Sequence, residues 1–298
     1  MTPEQLQLLD LPEVEANAPL TFRPIRYPLW TEHKAQLIAK YLRYFIFITR
    51  HGAYIDGFAG PQEPNREQDR DSMWAAKLVA DNEPKWLRDF FLCDADAKKA
   101  DFLEAIRDQE KDTPNRTVTT FIGDFNDVVD DVLATDRITE KTASFCLLDQ
   151  RTFECKWKTV EKIAKRKTGT KIEQFYFLGT GWLDRSLAAQ SDYEVLSDWW
   201  GNEEWKTLRG MNSVLRANLV AERFKSELGY TFANAWPIYD KYNSKRVMYH
   251  MIHATDHPEA PKLMARAYKN ATSRNEPVEE IQLMLGLPQV DVEDHSGS

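Results

Sequence analysis

The stretch AYIDGFAGPQ, Ala53 to Gln62, reads as the end of a buried strand running into a tight glycine turn. A short apolar run closed by Gly57 and Gly60 fits a parallel strand better than a helix, because strands covered on both faces carry continuous rather than alternating apolar residues. Glycines after such a strand let the backbone approach a ligand, since no Cβ intervenes. Gln62 follows where a second glycine is expected.

Outward from this strand, helix and strand patterns alternate. Before it, TEHKAQLIAKYLRYFIFI (31–48) places Leu37, Ile38, Tyr41, Leu42 and Phe45 on one helical face behind the N-cap candidate Thr31. After a polar loop, a helix is predicted from DSMWAAKLVADN, capped by Asp71 or Ser72 and turning Trp74, Leu78 and Val79 inward. Strands then follow at DFFLCDA (89–95), VTTFIGD (118–124), SFCLLDQ (144–150) and KIEQFYFLG (171–179), separated by helices at 97–109, 127–136 and 157–167. Strands joined by helical crossovers imply an α/β, doubly wound, mostly parallel sheet.

The remainder departs from that alternation. Residues 182–229 are helical and rich in aromatics, and 230–255 read as two strands around a polar turn, an antiparallel C-terminal hairpin added to the sheet. A helix at 257–271 closes the fold. The predicted organisation is an N-terminal arm (1–27), a core carrying the site (28–181), a helical insert or lid (182–229), the hairpin and helix completing the core (230–283) and a flexible tail (284–298).

With 298 residues, 42% hydrophobic and 29% charged, the chain suits a globular protein, and no apolar run approaches the ~20 residues that span a bilayer. The opening residues lack a basic region followed by an apolar stretch, so a cytoplasmic location and no membrane are expected. Cys93, Cys146 and Cys155 form no CxxC pair, and neither a disulfide nor a metal site is predicted. The net charge of −8 argues against nucleic-acid binding by bulk charge. A local patch is open at 155–171, where Lys156, Lys158, Lys162, Lys165, Arg166, Lys167 and Lys171 cluster; the plainer reading is a solvated helix face.

Ligands of open parallel sheets bind outside the carboxyl ends of the strands, so the residues there carry the functional reading. They are Asp56 with Gly57 and Gly60, then Asp94 or Asp96, then Asp124 with Asn126, then Asp149 with Gln150. An acid after the second strand can hold a ribose diol. The interval from Asp56 to Asp94, 94 − 56 = 38 residues, exceeds the ~20 of dinucleotide folds, and the polar insert accounts for the excess. Asp124 could meet an adenine amino group with Phe125 against the ring, or simply cap the following helix. Together these features point to an adenosine-containing ligand.

The series YIDGFAGP, LCDAD, GDFND and LLDQ, ending in a hairpin, resembles the Rossmann-like methyltransferases that use S-adenosylmethionine. With WTEHKAQLIAKYL, WKTVEKIA and VMYHMIHATDHPEAPKLM added, residues 28–270 more closely resemble the three-Cys-motif partner family, TcmP. The resemblance implies that Asp56, Gly57, Phe58, Ala59 and Gly60 line the methionine end of the cofactor. Asp94 would hold the ribose, Asp124 and Phe125 the adenine, and Asp149 would lie beside the methyl group. It also implies a radical-SAM-like partner protein bearing three cysteines, which are not the three of this chain, and a nucleic-acid substrate.

Two departures bear on mechanism. The glycine loop ends in Gln62 rather than glycine, and the fourth strand is followed by DQRTFE instead of an Asp-Pro-Phe-Gly or Pro-Pro-aromatic element. Asp149 with Gln150 and Phe153 could orient an acceptor amine, while Arg151 could clamp an anion and Glu154 act as a base if partly buried. A plain surface pair of Arg151 and Glu154 is the alternative. His253, Asp256 and His257 would suit a metal only on one helix, and Trp199, Trp200 and Trp205 either stack on bases or form core. The leading expectation is a methyltransferase acting on nucleic acid with a partner. Its rivals are a noncatalytic methyltransferase-like subunit and a magnesium-dependent phosphodiester hydrolase using the strand-end acids.

Overall fold

The computed structural model describes residues 29–30, 33–62, 70–181, 183–240 and 246–271. The arm 1–27, the cap Thr31, most of the hairpin turn and the tail 284–298 lie outside the described residues.

The strands are β1 (Leu29–Trp30), β2 (Ala53–Asp56), β3 (Asp89–Asp94), β4 (Thr117–Ile122), β5 (Ser144–Leu148), β6 (Glu173–Leu178), β7 (Phe232–Tyr239) and β8 (Val247–Thr255). The helices are α1 (Lys34–Thr49), α2 (Ala75–Ala80), α3 (Ala100–Glu110), α4 (Phe125–Leu133), α5 (Trp157–Lys165), α6 (Leu183–Ala189), α7 (Tyr193–Trp200), α8 (Ser213–Ser226) and α9 (Ala260–Asn270). One sheet has the order β1-β7-β8-β6-β5-β2-β3-β4. Strands β2 to β6 pair parallel wherever they adjoin, and β8 runs antiparallel to both β6 and β7. This is the doubly wound, mostly parallel α/β sheet that the alternation predicts. The hairpin adds an antiparallel pair beside β6, as expected, with its second strand, β8, seated between β6 and β7.

Successive strand residues face opposite layers, as the period of two requires. Tyr54, Phe90, Phe145, Leu147, Phe175 and Phe177 pack with α1, α2, α3 and α9 on one side. Ile55, Phe91, Cys93, Cys146, Leu148 and Tyr176 pack with α4, α5 and the helices of the 183–226 region on the other. Each fully buried apolar side chain of this kind contributes about 1.5–3 kcal/mol. All three cysteines are buried and unpaired. No helix among the described residues is long and apolar enough to cross a membrane.

The helix predicted from Asp71 divides into a 3₁₀ turn, Asp71–Met73, and α2, with Trp74 extended between them at φ −103° and ψ 104°. Burial explains the break: the Trp74 indole N–H donates to the Ala59 carbonyl at 2.5 Å, drawing the chain out of helical geometry and onto the glycine turn. In the insert, Trp199, Trp200 and Trp205 are buried, and the Arg223 guanidinium lies 3.9 Å and 4.1 Å from the ring centres of Trp157 and Trp200. These tryptophans are core rather than a stacking platform.

Candidate functional site

The winding direction reverses between β2 and β5, so their carboxyl ends diverge into a crevice. A small pocket lies there. Asp56, Phe58, Ala59 and Gly60 from the end of β2 line it opposite Leu147 and Asp149 from the end of β5, and Lys34, Gln62 and Trp74 close its sides. Its volume is about 20 Å³, room for about one water.

Asp56 is buried at the end of β2. Its Oδ2 accepts the Tyr54 hydroxyl at 2.7 Å and its Oδ1 the Phe58 N–H at 3.0 Å. Burial pushes its carboxyl up to about 7; the two hydrogen bonds oppose the rise, and the charges of Asp149 and Asp94 add to it. The same burial, and then the Asp56 carboxyl, hold Tyr54 well above the usual phenol range.

Asp94, ending β3, reaches the same turn. Its Oδ2 accepts the Gly60 N–H at 2.9 Å and the Lys99 ammonium at 3.2 Å, and its Oδ1 accepts the Asp96 N–H at 2.9 Å. Gly60 leaves room for both partners, since a Cβ would collide with Lys99 Cδ and stand 2.6 Å from Asp94 Oδ2. Gly57 serves packing of another kind: a Cβ there would meet the Phe125 ring at 2.7 Å. The space freed by both glycines is filled by the protein's own atoms.

Asp149 follows β5 and is buried. Its Oδ1 accepts the Lys34 ammonium at 2.6 Å and its Oδ2 the Gln62 amide at 2.9 Å. The ammonium also lies 4.7 Å and 4.9 Å from the ring centres of Phe177 and Tyr249. Burial first, then the Asp149 charge, raises the Tyr249 hydroxyl above its ordinary range.

The other predicted residues gather around the next strand ends. Asp124 caps α4, accepting the Asn126 N–H at 2.8 Å, and Phe125 is buried behind Gly57. Gln150 is buried and accepts the Cys155 N–H at 2.9 Å. Phe153 packs edge-on against Trp199. Arg151 and Glu154 are exposed, and Glu154 accepts the Thr152 N–H at 2.6 Å, so the partial burial on which its role as a base depended is absent. His253 is buried against Glu173 at 2.9 Å while His257 is exposed after the strand. No group of three His, Cys, Asp or Glu side chains among the described residues is placed to hold a metal ion. Among the pocket residues that sequence reasoning missed in this role are Lys34 and Trp74. A usable signal existed for Lys34, a cation in the first turn of a helix whose dipole disfavours it there.

No family model and no curated protein matches the chain. Among solved structures, it is similar to an O-methyltransferase from Bacillus cereus in complex with SAH, at 13% identity and a TM-score of 0.40, over 85% of this chain and 89% of that one. It is also similar to a protein from Pyrococcus horikoshii described as a transferase, at 10% identity and a TM-score of 0.35, over 74% of this chain and 62% of that one. At such scores, any chemistry must be argued from the site's own residues.

Proposed function

We propose that the crevice binds S-adenosylmethionine and that the protein moves its methyl group to an acceptor nitrogen held beside Asp149. The observation that carries this reading is the convergence of Asp56 with Gly60, Asp94 and Asp149, from the carboxyl ends of three strands, on the point where the sheet reverses direction. The donor set suits the group. Asp94 offers carboxylate oxygens to a ribose diol, Asp56 a carboxylate to an ammonium, and the exposed Asp124 stands at the next strand end for adenine, while the Phe125 ring is buried behind Gly57. When bound, the cofactor supplies an electrophilic methyl on a positively charged sulfur. Within the chain, Asp149 orients the acceptor and receives its proton.

Access requires the Gln62 amide to leave Asp149, because about 20 Å³ admits nothing larger than water. That closure favours one rival, a noncatalytic methyltransferase-like subunit. The nucleic-acid substrate and the three-Cys-motif partner rest on the TcmP resemblance alone. The basic run is largely engaged within the chain: Lys156 with Asp198, Lys162 with Asp130, Lys171 with Asp256, and Lys167 donating to the Thr142 carbonyl at 2.7 Å.

Calorimetric titration with S-adenosylhomocysteine tests the reading. One site per chain is expected, and Asp94→Ala should weaken it by about tenfold to a hundredfold, as loss of charged hydrogen bonds does. Absence of binding by the wild type leaves the noncatalytic reading standing. Unchanged affinity in Asp94→Ala removes the ribose role.

A further inference from the structure

Lys34 pairs with one strand-end acid, Asp149, but the glycine turn and the cofactor reading give it no role. It opens α1, where the helix dipole disfavours a cation, yet its side chain is buried. Its ammonium meets one carboxylate at 2.6 Å and two aromatic rings within 4.9 Å. A carboxylate joined to two ring faces is selective for an alkylammonium, since the acid pairs the charge and the rings attract the cation. A neutral exocyclic amine of a nucleobase can donate a hydrogen bond to such a carboxylate but brings no charge to pair with it or to draw toward the rings.

We infer that Asp149, Phe177 and Tyr249 form a subsite for an aliphatic primary amine, and that Lys34 fills it from within the chain as a pseudosubstrate. Naming it the acceptor subsite rests on the S-adenosylmethionine reading; the ammonium cradle itself does not. An outside amine takes the place of the Lys34 ammonium. It passes one proton to the Asp149 carboxylate, and its lone pair then forms the new N–C bond. The bond from the methyl carbon to sulfur breaks as that bond forms, its electron pair staying on sulfur, so that S-adenosylhomocysteine and a methylated ammonium result.

Removing Lys34 should open the cradle to a small probe. Lys34→Ala is expected to bind n-butylammonium at one site per chain, seen by calorimetry and as a rise in melting temperature. Binding should be at least about tenfold tighter than in Lys34→Ala combined with Asp149→Asn, a loss typical of a charged partner. Wild-type protein should not respond, and 1-butanol, which lacks the charge, should bind to neither. No butylammonium binding, equal binding of butanol, or preferential binding of adenosine or cytidine would overturn the proposal. Because Asp149 loses its buried partner, Lys34→Ser is measured alongside. Restoration of folding by butylammonium in either variant supports the cradle, and failure to restore it in both counts against it. Titration of the wild type with S-adenosylhomocysteine is independent, so loss of the cofactor reading leaves the butylammonium result unmoved.

Discussion

Asp56 is held where its protonated form is favoured, with a folded pKa of about 7 against an ordinary 3.8. The folded state therefore binds more protons than the unfolded one between these values, and stability falls as pH rises through that window. The loss is absent below about pH 4, where both states are protonated, and complete above about pH 7. Denaturant unfolding at pH 5 and pH 8 should show the wild type losing up to a few kcal/mol that Asp56→Asn retains. A cationic ligand group beside Asp56 would expel its proton, so cofactor binding should tighten from pH 6 to 8 and release a proton, detectable by calorimetry in buffers of different ionisation enthalpy. Gly60→Ala presses a Cβ against Lys99 and Asp94 and should cost about 1–3 kcal/mol by overpacking. The strand-end acids were legible because each follows an apolar run that announces its strand. The partnership of Lys34 with Asp149 was not, since it joins residues 115 apart and the unfavourable place of a lysine in a first turn does not name the partner that offsets it. Gly57 shows the converse: its small size was legible, but the Phe125 ring that needs it comes from another element.

At the scale of elements, the loop after β5 is tied down by α4. Asn126 donates to the Asp124 carboxylate at 2.7 Å and to the Glu154 carbonyl at 2.7 Å, and its side-chain oxygen accepts the Lys156 N–H at 2.9 Å and the Thr159 hydroxyl at 2.8 Å. One amide thus ties the cap of one helix to the start of the next. Asn126→Ala should lower stability by about 1–3 kcal/mol through the groups it leaves unsatisfied, and hydrogen exchange should quicken across residues 151–156 while β5 stays protected. A short helix after the glycine turn was legible from its apolar pattern, but its interruption at Trp74 was not. The Ala59 carbonyl that captures the indole becomes available only once β2 and its turn are in place.

For the whole molecule, alternating apolar strands and amphipathic helices were enough to predict a doubly wound sheet, because each pattern commits a residue to one layer or the other. The seat of β8 between β6 and β7 depends on long-range pairing, such as Phe175 with His253, and two strands around a turn read alike in either order. The same long-range assembly turns scattered acids into one crevice and closes it with Lys34 and Gln62. The most direct test is a crystal structure of the wild-type protein soaked with S-adenosylhomocysteine. The ligand should lie between Gly60 and Asp149 at the ends of β2 and β5, with its ribose on Asp94 and the Gln62 amide turned away from Asp149. A ligand bound elsewhere, or an intact Gln62 to Asp149 contact in a saturated crystal, would contradict the account.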